Sequence, residues 1–391
     1  MKIFLLLLAA LSVSPLSAQP TWVQEPYSID SEYLEEERQY WVHLPDSYFE
    51  EQAAAKTYPV IYLLDARAQF LALTGTLHSM SSGLNGNYRI PEAIVVGIPN
   101  ADRVRDFTPN QANTEELGEE FANSGGAGKF LDFIEHELVP RIESDYRVIE
   151  HRTLVGHSLG GLLGITSLVE RPELFDAYLI IDPSLWWNDL ELLDQLEDKL
   201  ELSLNSDTAV YIVTPEYSER NQQITSTSAF HELLLAKQDG NLRVELQRIA
   251  GVSHGSVPLP AYSYGLPFVF GDFEIDFEQL LAQGPDYVAT HFRVLSQRLG
   301  VKYLPPEALI EAIAKNTSGL PPDMRQISTR FFEYAVQTYP ESHRAYYNLA
   351  SSYFDSDQVD AAVTAYRKVL ELDPSNTEVR TILNSIGTDI N

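Results

Sequence analysis

Thr153-Leu154-Val155-Gly156-His157-Ser158-Leu159-Gly160-Gly161-Leu162-Leu163-Gly164-Ile165 is the stretch that decides the reading of this chain. A G-x-S-x-G pattern alone recurs by chance in many proteins. Here an apolar strand precedes it, and a run of small and apolar residues opens a helix after it. That is the setting of a nucleophile elbow, a sharp turn that presents the Ser158 hydroxyl above the end of a sheet. Side chains two positions before and after the serine would collide in such a turn, which accounts for Gly156 and Gly160.

Outward from the elbow, short β-rich runs alternate with helical periods. Strands are expected at Tyr40–Leu44, Val60–Leu64, Ala93–Ile98, Thr153–Val155, Ala177–Ile181, Ala209–Val213 and Val244–Ile249. Apolar residues three and four apart mark helices at Phe130, Phe133, Ile134, Leu138 and Ile142, and again at Leu190, Leu193, Leu196 and Leu200. The fold class is therefore α/β, a mostly parallel sheet with helices on both faces. Active sites of such sheets lie beyond the carboxyl ends of the strands.

A serine hydroxyl needs a base to take its proton, and in this architecture the order along the chain is serine, acid, histidine. His231 and His291 fall in helical patterns. His254 follows the last strand in the glycine-flanked loop Gly251-Val252-Ser253-His254-Gly255 and is the expected base. The acid is expected from the loop after Ala209–Val213, with Glu216 first and Glu219 second; Asp182, in Ile181-Asp182-Pro183, is a third option and a Ser–His dyad a fourth. Backbone amides must meet the developing oxyanion. One is that of Leu159, and the other that of Ala66 or Arg67 in the loop after Val60–Leu64.

The two ends of the chain read differently. Residues 1–18 carry Lys2, an apolar run Ile3–Leu11 and a small-residue ending, the layout of a secretory signal with cleavage after Ala18. The run is too short for a bilayer core, which takes ~20 apolar residues, so an exported protein, periplasmic or secreted, without stable membrane insertion is expected. Between it and residue 304 lies the α/β domain, 19–304. From Pro305 to Asn391 the pattern is helical throughout. Phe332, Ala335 and Pro340 match Tyr366, Val369 and Pro374 at an offset of 34 residues, and unit 343–376 carries Tyr346, Leu349, Ala350, Tyr353, Ala362, Tyr366 and Pro374. This resembles the tetratricopeptide repeat, in which small residues let two antiparallel helices approach closely. The resemblance implies a surface for a protein partner.

Composition narrows the function further. Lys and Arg number 27 against 56 Asp and Glu, a formal charge of −29, which repels phosphate backbones and argues against nucleic acid as a partner. There is no cysteine, so disulfides, thiolate metal sites and a cysteine nucleophile are excluded.

Four segments together resemble one family. They are Pro59-Val60-Ile61-Tyr62-Leu63-Leu64-Asp65, the stretch from Val95-Val96-Gly97-Ile98-Pro99-Asn100 through Arg103 to Arg105-Asp106-Phe107-Thr108-Pro109, the elbow, and Asp182-Pro183-Ser184-Leu185-Trp186-Trp187. They are similar to the esterase D-like, enterochelin-esterase-like family of α/β-hydrolases over about residues 23–300. The resemblance implies an α/β-hydrolase fold and hydrolysis of a small-molecule ester through an acyl-enzyme, with no metal and no cofactor. Trp186 and Trp187 follow a strand end and are candidates to wall a substrate pocket, or to pack in the core. Arg103 and Arg105 are candidates for an anionic substrate group, or for salt bridges to Asp102 and Asp106. Two further readings keep the same residues: an interaction module on a degenerate hydrolase scaffold, and an acyltransferase.

Overall fold

The computed structural model describes residues 26–50, 56–81, 88–190, 192–193, 208–217, 222–236, 242–271, 273–319 and 326–386. The signal-like stretch 1–18 and most of the helix expected around Leu193–Leu200 lie outside the described residues. Eight strands form one sheet in the order β1-β2-β4-β3-β5-β6-β7-β8. They are β1 (Tyr27–Ser31), β2 (Glu36–His43), β3 (Tyr58–Leu63), β4 (Ile94–Gly97), β5 (Val148–His157), β6 (Ala177–Ile181), β7 (Ala209–Pro215) and β8 (Arg243–Ile249). β1 pairs with β2, and β2 with β4, antiparallel; every other pair is parallel. Each expected strand is present. β1 was not foreseen: Tyr-Ser-Ile-Asp-Ser is mostly polar and exposed and is held by its pairing with β2.

The central strands read as continuous apolar runs because both faces of the sheet are covered. Tyr62, Leu154, Tyr178, Ile180, Val210 and Ile212 face one apolar cluster. It is closed by the helical run 127–145, whose middle turn Ile134–Leu138 is π-wound, and by the helix that follows the elbow. Ile61, Leu63, Val155, Leu179, Ile181, Tyr211 and Val213 face the other cluster. There they meet α1 (Ala66–Ser81) and the helix Pro258–Phe270. In chain order, α2 (Leu159–Glu170), α3 (Gln222–Ala236), α4 (Pro258–Phe270) and α5 (Pro285–Arg298) complete the α/β part. As expected, His231 and His291 sit on helices, in α3 and α5.

The C-terminal helices α6 (Glu307–Ser318), α7 (Gln326–Thr338), α8 (His343–Asp355), α9 (Val359–Leu372) and α10 (Thr377–Ser385) follow. They do not hang on a tether. The second cluster continues from the sheet through Phe270, Phe292 and Tyr303 into Leu309, Ile310, Ala314, Phe331, Ala345 and Leu349. A smaller cluster between α8, α9 and α10 holds Ala350, Ala362, Ala365, Tyr366 and Val369, with Ala350 and Ala362 fully buried where the helices approach. No helix among the described residues is long and apolar enough to cross a membrane.

Three expected outcomes test this packing. A Cβ at Gly156 would run into the carbonyl group of Gly160, whereas the nearest atoms to a Cβ at Gly160 would be Asp65 Oδ2 and Leu64 Cδ1 at 3.4 Å. The collision foreseen for both glycines is thus real only at Gly156. Gly156→Ala should cost at least about 2 kcal/mol in urea melts. Gly75→Ala, on the exposed side of α1 with open space around it, should instead gain about 0.5–1 kcal/mol. Ending the chain at residue 304 strips Leu309, Ile310 and Phe331 from the shared cluster and should lower Tm by at least about 10 °C in calorimetry; an unchanged Tm would mean the two parts fold separately.

Candidate active site

The elbow forms as the sequence requires. Ser158 sits between β5 and α2 with φ 60° and ψ −118°, a conformation costly for a residue with a side chain. Three backbone bonds hold it there. Its N–H donates to the Ile181 carbonyl at 2.9 Å, and its carbonyl accepts from Leu162 N at 3.0 Å and Ser184 N at 3.1 Å. The partners of the strained residue therefore come from α2, the end of β6 and the loop after β6. Ser158 Oγ lies 3.2 Å from the buried Ser184 Oγ.

His254 is presented by a turn that Ser253 and Ser256 close: Ser256 N and Val257 N donate to Ser253 O, and Ser253 N donates to Ser256 Oγ at 2.9 Å. Its Nδ1–H donates to Asp182 Oδ2 at 2.6 Å, which leaves Nε2 as the basic nitrogen. The His254 side chain is 51% exposed, while that of Asp182 is fully buried. Among the described residues Asp182 also accepts from Thr214 Oγ1 at Oδ1, 3.0 Å, and from Tyr217 OH at Oδ2, 2.5 Å. Burial by itself would push this carboxyl's pKa up. The hydrogen bonds from His254, Tyr217 and Thr214 outweigh it and hold the group below the usual carboxylate range.

The carboxylate hydrogen-bonded to His254 is thus Asp182, the third expectation, and not Glu216, the first. Glu216 is exposed and its N–H extends the β7–β8 ladder to the Ile249 carbonyl at 2.9 Å. The physical reason is strand order. β6 lies directly beside β5 and its last carbonyl accepts from the Ser158 amide, so the residue after β6 sits next to the elbow. Glu219 lies outside the described residues.

The oxyanion loop needs a similar correction. The Ala66 N–H donates to the Ile98 carbonyl at 3.2 Å and is spent. Arg67, the next residue of α1, has no backbone acceptor for its N–H among the described residues, and neither has Leu159 at the first position of α2. Asp65, at φ 55°, anchors this loop. It accepts from Arg103 Nε at 2.7 Å and Nη2 at 3.0 Å and from Asn100 Nδ2 at 2.5 Å. Arg103 Nη2 also donates to the His157 carbonyl at 3.0 Å, tying the loop to the nucleophile strand.

Arg105 is not placed to hold a substrate anion: Glu36 takes its guanidinium at 2.6 Å and Asp106 at 2.8 Å. Asp106 in turn meets the buried Arg38 at 2.7 Å. Trp187 belongs to the core, fully buried, with Nε1–H donating to Asn110 Oδ1 at 2.9 Å and its ring edge-on to Phe121. Trp186 remains half-buried beside the same Phe121. Sequence reading passed over His157, whose ring centroid lies 4.5 Å from that of His254. Burial, helped by His254, pushes its pKa down to about 4, so it stands as a neutral ring against the base. The histidine at the variable position of the elbow was the one signal that could have found it.

Comparison with known proteins gives the family. The family profile described as "Putative esterase" matches residues 31–246, and a tetratricopeptide repeat profile matches residues 343–376. The chain is 31% identical over 215 residues to the ferri-bacillibactin esterase BesA of Bacillus subtilis, covering 51% of this chain and 74% of that one. It is 31% identical over 198 residues to the siderophore triacetylfusarinine C esterase of Aspergillus fumigatus, covering 47% and 64%. An IroE-like serine hydrolase from Shewanella oneidensis superposes with a TM-score of 0.65 at 29% identity, over 79% of this chain and 99% of that one. With more than half its length matched by one family profile, the chain belongs to the Putative esterase family, an ester hydrolase that carries a tetratricopeptide repeat near its C-terminus.

Proposed function

We propose that the chain is an exported serine esterase acting on siderophore-type esters through an acyl-enzyme. The observation that carries the mechanism is the 2.6 Å bond from His254 to the buried Asp182, beside a serine held at positive φ. The substrate class is drawn from the relatives, two of which are named as siderophore esterases.

Ser158 Oγ attacks the ester carbonyl carbon as its proton passes to His254 Nε2. The tetrahedral oxyanion is met by the amides of Leu159 and Arg67. Collapse breaks the ester C–O bond, and the leaving alkoxide takes the proton from His254. Water then gives a proton to His254 and attacks the acyl carbon, and Ser158 regains its hydrogen as the acid departs. Asp182 stays ionised throughout; it fixes the tautomer and stabilises the imidazolium that forms in each half. Ser158 Oγ and His254 share no hydrogen bond among the described residues, and such bonds commonly tighten only once substrate is bound. An intact elbow, base and acid argue against a degenerate scaffold. The tetratricopeptide repeat adds a proposed contact with a protein partner to this reading.

Hydrolysis of a p-nitrophenyl ester series, acetyl to octanoyl, tests the proposal. Ser158→Ala should fall to background, a loss of at least about 10⁴-fold, with Tm unchanged within about 2 °C. Asp182→Asn should lose about 10²- to 10⁴-fold in kcat, whereas Glu216→Gln should stay within about twofold of the parent. The reverse ranking of those two carboxylates would restore Glu216 as the acid. Turnover of an iron-loaded or iron-free siderophore ester, followed by product mass, checks the substrate class.

A further inference from the structure

The carboxyl end of β7 supplies no acid, yet it is not idle. It sends two hydroxyls to the acid that β6 supplies. Thr214 Oγ1–H donates to Asp182 Oδ1, while Tyr217 OH donates to Oδ2, the same oxygen that His254 Nδ1–H uses. The phenol at 2.5 Å and the imidazole at 2.6 Å therefore share one carboxylate oxygen. Both are charge-assisted bonds to a carboxylate. A donor placed on that oxygen withdraws part of the charge that would otherwise stabilise a protonated imidazole.

We propose that Tyr217 is a positioning residue that, by competing with His254 for one oxygen of Asp182, extends the activity of the site to lower pH. The proposal rests on the Ser158–His254–Asp182 reading. The charges facing His254 from each neighbouring element favour it. From β5 comes His157, neutral in its half-buried position. Behind His157, Asp65 from the loop after β3 is paired with Arg103. On its own turn His254 is flanked by Ser253 and Ser256, which are uncharged. Among the described residues the carboxylate hydrogen-bonded to His254 is Asp182, so charge that the phenol draws from Oδ2 is drawn from the oxygen the imidazole uses. Burial and the adjoining carboxylate push the Tyr217 pKa up, so the phenol keeps the proton it donates.

The test is the pH profile of kcat/KM for p-nitrophenyl acetate with the full chain. Removing the phenol in Tyr217→Phe leaves more charge on Oδ2, favours the protonated base and should move the acid limb up by about half a unit. The high-pH plateau should stay within about threefold. Installing 3-fluorotyrosine at 217 alone, a stronger donor of the same shape, should move the limb down, and it carries the test if the phenylalanine variant does not fold. An acid limb unmoved in the folded variants, or a plateau loss with no movement of the limb, overturns the proposal and leaves Tyr217 a packing residue. Ser158→Ala is measured alongside: if it still hydrolyses the ester, the serine reading itself has failed and this proposal falls with it.

Discussion

A carboxylate taken wholly out of water costs several kcal/mol unless donors surround it, and the fully buried Asp182 is placed where the ends of three strands can supply them. Its own N–H reaches the Val213 carbonyl at 2.7 Å, which fixes the turn after β6. Thr214 and Tyr217 arrive from β7, and His254 from the turn after β8. Satisfying one buried charge thus gathers the carboxyl edge of the sheet into a single hydrogen-bonded unit. The same demand gives the imidazole its orientation. Stability and chemistry here rest on one set of bonds.

A second clamp works on the opposite side of the nucleophile. Arg103 holds Asp65 through two nitrogens and reaches the His157 carbonyl with one of them. The bidentate fork ties the loop before α1 to the elbow, and with it Arg67 and Leu159, whose N–H groups have no backbone acceptor among the described residues. A lysine could make either contact but not both in this geometry. The flanking pairs Arg38–Asp106 and Arg105–Glu36 brace the segment that carries Arg103.

The sequence showed the elbow, the base and the alternation of strands and helices because each is a local pattern. What it concealed was adjacency across the sheet. Asp182 and Glu216 both follow strands, and only the order β5-β6-β7 makes the first the neighbour of Ser158. Ala66 and Arg67 are equivalent as backbone donors until Ile98, more than thirty residues on, claims the first. Arg105 stands next to Asp106 in sequence, but its other partner, Glu36, is 69 residues away. Trp186 and Trp187 look interchangeable as a pair, yet it is the second whose indole N–H Asn110 takes and which is fully buried.

The unbroken apolar cluster that runs from the sheet into α6, α7 and α8 bears on how the molecule comes into being. Ile61 and Leu63 lie more than 240 residues before the Leu309, Phe331 and Leu349 that share their cluster. Contacts so distant along the chain are slow to form, and until they do one face of the sheet lacks part of its cover. A sheet face covered in part by α6, α7 and α8 stays open to chaperones until those helices dock.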